Sequence, residues 1–421
     1  MGSPCKASLP ALLLSLAVVT LAAAGDWPQW RGPGRDGTAD GFKAPATWPE
    51  KLTKVWSVPI GEGHSSPVVA GDRVYTFSRE ADQEVARALR LADGGEIWKQ
   101  AAPVGYQMHS AATGHGKGPK STPVIAAGRL YTFGISGILS AFDAATGAAR
   151  WRREYASEFK TTSPLFGAAN SPLLDAGAVI LYVGGHHDGS LVALDTATGA
   201  LRWSLKGDGP GYASAIIAEL AGKRQIITQS DKRIVGVDPA TGALLWSLPF
   251  TTPYDQNSVT PVVAGGLLIT SGIDQGVHAW TLDTKEKALV PREVWSRREA
   301  SFYMSTPVVV GTRLIGYSHL RRGQYVCMEV KTGEFHWASE GRSAENAALV
   351  VAGSHVLGLT DDGDLVVLRP DASQFSPVAQ YRVAESPTWA HPVPTSEGLL
   401  IKDKTHLTLW KLVSAQAASG S

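Results

Sequence analysis

Apolar residues in this chain fall in short continuous or alternating runs separated by turns, and no useful length of it shows helical periodicity. Two patterns recur out of phase. The first is an apolar run opened by a small polar residue: SSPVV (65–69), STPVI (121–125), NSPLL (170–174), VTPVV (259–263) and STPVV (305–309). A turn such as AGDR or AAGR comes next, then a run such as VYTF or LYTF. The second is an Asp, a Thr-Gly and a Trp at fixed spacing: FDAATGAARW (142–151), LDTATGALRW (194–203) and VDPATGALLW (237–246). EVKTGEFHW (329–337) swaps Glu for Asp, and LADGGEIW (91–98) keeps the Gly-to-Trp spacing.

Read together, the patterns give one unit of four strands. In residues 123–155 they are PVIA, RLYTF, ILSAFD and ARWRREY, with Thr-Gly turning the third strand into the fourth. Asp143 and Thr146 are suited to bond backbone in that turn, and Gly147 to supply positive φ. Aromatic residues mark the units at Trp56, Trp98, Trp151, Trp203, Trp246, Trp295, Trp337 and Tyr381, spaced 42 to 53 residues apart. The units ending at Trp295 and Tyr381 have lost the Thr-Gly. Self-similarity at this period signals a repeat fold. Eight such units predict an all-β chain, an eight-bladed β-propeller of four-stranded antiparallel blades. The aromatic residues are expected to dock each blade on its neighbour. The last unit stops after three strands, and LTKVWSV (52–58) is expected to complete it and close the ring.

The ends of the chain change the picture. Lys6, the apolar stretch 9–21 and Ala22-Ala23-Ala24 predict a signal peptide over residues 1–24, cleaved near Ala24. The apolar stretch is too short to favour a membrane span. The expected organisation is therefore signal peptide 1–24, strap 25–50, propeller 51–412 and flexible tail 413–421. The expected product is a soluble periplasmic or secreted monomer. In the strap, Trp27, Trp30 and Trp48 suit packing across the ring, and Arg31 and Arg35 are expected to pair with carboxylates. Lys and Arg total 39 against 38 Asp and Glu, so nothing in the charge favours nucleic acid or an anionic membrane as partner. Cys5 leaves with the signal, and Cys327 stands in a slot filled elsewhere by small residues, which reads as a packed thiol.

Candidate chemistry lies where a propeller gathers its loops. The connections between units bring His64, His109, His115, Lys160, Asn170, Tyr212, Asp255, Asn257, Tyr303, Glu345, Asn346, Trp389 and His391 to one face. Hairpins on the same face add His186, His187, His319 and Arg321. Such a mouth is able to orient a small ligand or a peptide. The histidines lack zinc-site spacing, so no metal is expected. The long connection Gly105–Lys120 is the candidate lid. Nucleophile-elbow, Walker and dinucleotide motifs are absent from the sequence.

The repeated phrase resembles that of the pyrroloquinoline quinone (PQQ)-binding-like β-propeller superfamily over about residues 26–412, and DWPQWRGPGRDG (26–37) is similar to the N-terminal signature of its exported members. The superfamily joins quinoprotein alcohol dehydrogenases to non-enzymatic scaffolds, among them the propeller lipoprotein of the outer-membrane assembly complex. The dehydrogenase resemblance implies PQQ beside Ca²⁺ in the funnel, held against a vicinal Cys-Cys disulfide. This sequence has neither that pair nor a C-x-x-C-H haem site. The expected function is an exported, non-enzymatic module binding an envelope protein, a peptide or a small molecule. The alternative is a PQQ-dependent alcohol or sugar dehydrogenase.

Overall fold

The computed structural model describes residues 25–39 and 41–412. The expected signal peptide and C-terminal tail lie outside the described residues. Eight blades of four antiparallel strands form a propeller ring, and the two-residue strap strand Thr38–Ala39 adds in parallel to the seventh. Blade 2 shows the pattern: Val124–Ala126 (strand A, nearest the axis), Arg129–Phe133 (B), Leu139–Asp143 (C) and Ala149–Arg153 (D) pair in order. Both faces of a blade are covered by neighbours, so its middle strands read as continuous apolar runs. Strand Ala178–Gly185 of blade 3 is buried at every position. Blades 1 to 7 follow in chain order. The eighth sheet combines Val393–Thr395, Gly398–Lys402 and His406–Lys411 with Thr53–Pro59, which lies antiparallel to His406–Lys411.

The repeated phrase builds the seams. The indole N–H of Trp98 donates to the carbonyl of Ala144 in the C–D turn of the next blade, at 3.0 Å. Trp151 does the same to Thr196, Trp203 to Pro239, Trp295 to Val330 and Trp56 to Leu91. The Thr-Gly glycine lies flat against that indole: a Cβ on Gly147 would come 2.6 Å from the Trp98 ring, and Gly147 has φ +76°. The turn itself is tied by Asp143 Oδ1, which accepts from the Ala145 and Thr146 amides and the Thr146 hydroxyl.

Two seams depart from the rule, each for a visible reason. Blade 5 has lost its Thr-Gly, and its C and D strands (Gly276–Lys285 and Ala288–Arg297) continue as one long hairpin. Trp246, facing that hairpin, donates to Gln225 of its own blade instead. Blade 8 has no C–D turn because its C and D strands come from opposite ends of the described chain. Tyr381 bonds the Pro49 carbonyl of the strap in its place.

Every D strand also carries a β-bulge. In all blades but the seventh, the bulged residue immediately precedes the docking Trp. Where it is charged it turns back onto the acid of the C–D turn, as in Arg150 to Asp143 and Arg202 to Asp195. Val55, Ile97, Val294 and Val378 are apolar and exposed, whereas Leu245 of blade 4 is half-buried.

Candidate functional site

The small polar residue that opens each A strand turns out to stitch the blades together around the axis. Ser66 N donates to Thr122 Oγ1, Thr122 N to Ser171 Oγ, Ser171 N to Ser214 Oγ, Ser214 N to Thr260 Oγ1 and Thr260 N to Thr306 Oγ1. His391 N closes onto Ser66 Oγ. The girdle breaks at blade 7, where Ala347 has no hydroxyl and its N–H is taken by Ser305 Oγ. Sequence reading found this repeat but not its role, because a neighbour some 45 residues away is invisible in linear order.

The strap crosses the axis and shuts the ring from within. It bonds blade 1 through Trp27 and Val69, blade 2 through the Pro28 carbonyl and Ile125, and blade 7 through the Gly37 carbonyl and Val351. Arg31 donates to the carbonyls of Thr306 and Pro307 in blade 6. Arg35 donates to Ser171 and Pro172 in blade 3 and to Ala215 in blade 4. The expected carboxylate partners are thus corrected: both guanidinium groups donate to main-chain carbonyls, Arg35 also to Gln29 Oε1, and the Arg31 Nε has no partner among the described residues. Their burial lowers Arg31 to about 10 and Arg35 to about 9, leaving both charged at neutral pH. Both guanidinium groups lie over the Trp30 ring, at 5.5 and 5.4 Å from its centroid.

A cavity of about 180 Å³ sits on this floor, walled by Trp30, Phe166, Tyr212 and Trp389 and by the polar groups of His64, His115, Lys120, Gln256, Asn346 and His391. The connection Ser110–His115 is a short 3₁₀ turn that carries His115 across the mouth. The His115 ring meets Trp389 at 5.5 Å and Phe166 at 5.8 Å. His64 donates its Nε2 proton to the His115 carbonyl at 2.8 Å, and its Nδ1 has no partner among the described residues. Burial, then the Lys120 and Lys402 charges, push His64 down to about 3. Burial and Arg31 do the same to His391. Both imidazoles are therefore neutral. Lys120 donates to the Phe166 carbonyl, and burial lowers its amine to about 8. Lys402, beneath the wall, donates to the carbonyls of Gly63 and Asp403 and is lowered likewise.

Of the residues singled out by sequence, His64, His115, Tyr212, Asn346, Trp389 and His391 converge here. His186 reaches the edge, bonding the Tyr212 hydroxyl at 3.0 Å. His187 is exposed and bridges Asp231 (2.9 Å) and Asp255 (3.4 Å). Tyr303, His319 and Glu345 line a separate groove on the same face, with Arg321 beside it. Asn257 is buried and braces the Ser230 and Phe250 carbonyls. Asn170 is buried behind the girdle. His109 caps the 3₁₀ turn through Nδ1, and Lys160 is exposed. Sequence reasoning missed Lys120 and Phe166 as wall residues and Trp30 as floor. The only available signal for Lys120 was its place at the end of the longest connection.

Among the described residues, no Asp or Glu lines the cavity. Among the described residues, no three His, Cys, Asp or Glu side chains converge in a metal-holding arrangement. The donor set therefore fits a PQQ–Ca²⁺ pair poorly: Gln256 and Asn346 offer amide oxygens, but no carboxylate balances the cation's charge and the Lys120 ammonium opposes it.

A family model described as outer membrane protein assembly factor BamB matches residues 81–339. The outer membrane protein assembly factor BamB of Yersinia pestis is 23% identical over 167 residues. That stretch spans only 38% of this chain and 38% of the relative's own length. Among solved structures, BamB from Moraxella catarrhalis superposes with a TM-score of 0.61 at 18% identity, covering 86% of this chain and 97% of that one. A europium-containing methanol dehydrogenase gives 0.63 at 15% identity over 92% and 90%. The quinohemoprotein alcohol dehydrogenase ADHIIG of Pseudomonas putida gives 0.63 at 14% over 92% and 80%. Likeness at these identities is a likeness of fold, and the fold serves both kinds of protein.

Proposed function

We propose that this chain, which belongs to the family described as outer membrane protein assembly factor BamB, is an exported, non-enzymatic propeller that binds other proteins of the cell envelope. The observation that carries the reading is the chemistry of the central cavity. It is floored by Trp30 on two buried arginines and offers a cation no carboxylate, so it supports a rigid hub better than a quinone active site. Recognition falls to the face bearing the loops between blades. The outer strands are poor templates for an added strand, since every D strand is bulged.

The test is reconstitution of the purified mature protein with the other purified subunits of its organism's outer-membrane assembly machinery, read by comigration on size exclusion. Comigration is expected. In parallel, quenching of the thirteen tryptophans is followed on titration with PQQ and Ca²⁺. Stoichiometric quenching with dye-linked alcohol oxidation, and no comigration, would overturn the proposal in favour of the dehydrogenase.

A further inference from the structure

Blade 6 carries a feature that the central cavity does not use. Its B–C connection is a short turn, Leu320–Arg322, in which Arg321 and Arg322 adopt φ of +55° and +60°. Arg342, in the connection leaving the same blade, has φ +61°. A left-handed backbone is strained for a residue that carries a side chain, and such strain concentrates at functional positions. The two connections are sewn together: Arg342 N donates to the Arg321 carbonyl at 3.1 Å, and the Tyr317 hydroxyl to the Ala344 carbonyl at 2.9 Å. The approach is close enough that a Cβ on Gly323 would lie 1.7 Å from the Ala344 carbonyl oxygen.

This rigid pair of loops displays three exposed arginines that have no ion pair or side-chain hydrogen bond within the described residues. Elsewhere on the surface, arginine is usually paired: Arg150 with Asp143, Arg202 with Asp195, Arg224 with Asp175, Arg292 with Asp283. Arg322 and Arg342 flank a groove that also presents Ile273, Tyr303 and His319. Among the described residues, Glu345 is the one carboxylate lining it. Asp274, nearby, is occupied by His319 Nε2 at 3.4 Å.

We propose that this groove binds an acidic segment of a partner protein, its carboxylates taken by Arg322 and Arg342 with Arg321 beside them. The inference rests on the reading of the chain as a protein-binding module. Planar guanidinium groups held on fixed backbone suit carboxylates, which accept two parallel hydrogen bonds from one arginine. An extended acidic segment fits better than a membrane surface. The charge is confined to one groove beside a tyrosine and an isoleucine, while the chain as a whole carries a formal net charge of only +1.

The test uses the full mature protein and a fluorescein-labelled hexaglutamate peptide, followed by anisotropy at low ionic strength, with hexaglutamine as the neutral control. Binding of hexaglutamate is expected to weaken about tenfold or more in Arg322→Glu/Arg342→Glu, to weaken less in Arg322→Gln/Arg342→Gln, and to fall with added salt. Arg292→Glu, on the blade 5 hairpin, is expected to bind as the parent does. Unchanged melting temperatures exclude misfolding as the cause. Equal binding of the two peptides, or parental affinity in the charge-reversed variant, overturns the proposal. So does loss in that variant of binding to phosphatidylglycerol vesicles without any peptide binding. If subunit comigration survives these failures, the acidic-segment inference alone falls; if comigration is also absent, the binding-module reading falls with it.

Discussion

At the scale of single residues, the clearest change in ionisation lies between two blades. Glu84 of blade 1 is buried and accepts the Ile135 N–H of blade 2 at 2.7 Å, with Gly134 so close that a Cβ there would strike its carboxylate. Burial pushes Glu84 up to about 7, against the pull of the Ile135 amide and Arg79. A carboxyl raised in the fold contributes stability in its protonated form. That contribution is complete below the unfolded value of 4.5 and is lost as pH rises through about 7. Unfolding by urea at pH 5 and pH 7.5 should show a loss of about 2 kcal/mol from this group. Glu84→Gln, which keeps an acceptor for Ile135, should abolish that part of the loss. His64 and His391 act in the opposite sense, since neutral imidazoles held at about 3 contribute above 6.5 and lose that contribution as pH falls. The variant comparison separates the two. An identical pH slope in parent and Glu84→Gln would refute the assignment.

At the scale of elements, the unit of construction is the seam: an aromatic residue on one D strand, and a turn carbonyl and glycine on the next blade. Gly147 has two reasons to be glycine, its φ of +76° and the Trp98 ring against it, whereas Gly128 in the A–B turn has φ +72° and nothing within 4 Å of a Cβ. Gly128→Ala should therefore cost about 1 kcal/mol, from backbone alone. Gly147→Ala should cost about 2–4 kcal/mol, because the indole must move and its bond to Ala144 weakens. Equal losses in denaturant unfolding would remove the glycine–indole contact from the account. This seam explains what sequence could and could not deliver. Asp143, Thr146, Gly147 and Trp151 recur at fixed spacing because turn and dock are local geometry, so blade number and strand order were legible. The partner of each Trp was legible only as the next blade. Gln225 replacing the lost turn of blade 5, and Pro49 that of blade 8, required three dimensions. The candidate site followed the same division. His64, His115, Tyr212, Asn346, Trp389 and His391 could be grouped on one face from sequence because propeller topology gathers their loops. Lys120 and Phe166 lie within long connections whose path no periodicity reports, and the Ser/Thr girdle looked like strand punctuation.

At the scale of the whole molecule, a ring of eight blades has to be held at its centre as well as along its seams. The girdle from Ser66 to Thr306 links blades 1 to 6 at one level, and it is interrupted at blade 7. The strap spans that interruption: Thr38–Ala39 pairs in parallel with Val351–Ala352 of blade 7, while Arg31 and Arg35 reach blades 6, 3 and 4. Two mechanisms compete to explain what keeps the strap in place. Trp27 is wholly buried and contributes about 2–3 kcal/mol by transfer from water, independently of the arginines. The guanidinium groups instead donate to the inward-facing carbonyls of Thr306, Pro307, Ser171, Pro172 and Ala215, and removal of such a donor costs about 1–3 kcal/mol for each acceptor left unsatisfied. If the second mechanism dominates, Arg31→Met/Arg35→Met should lower stability by about 3–5 kcal/mol although it adds apolar volume to the core. It should also expose the strap to trypsin at Lys43 and Lys51 before the ring unfolds, releasing the residues that carry Trp30 and opening the cavity floor. Parental protection of those two sites in the double variant would mean that Trp27 and the parallel bridge to blade 7 hold the strap, with the arginines serving only to fill the axis.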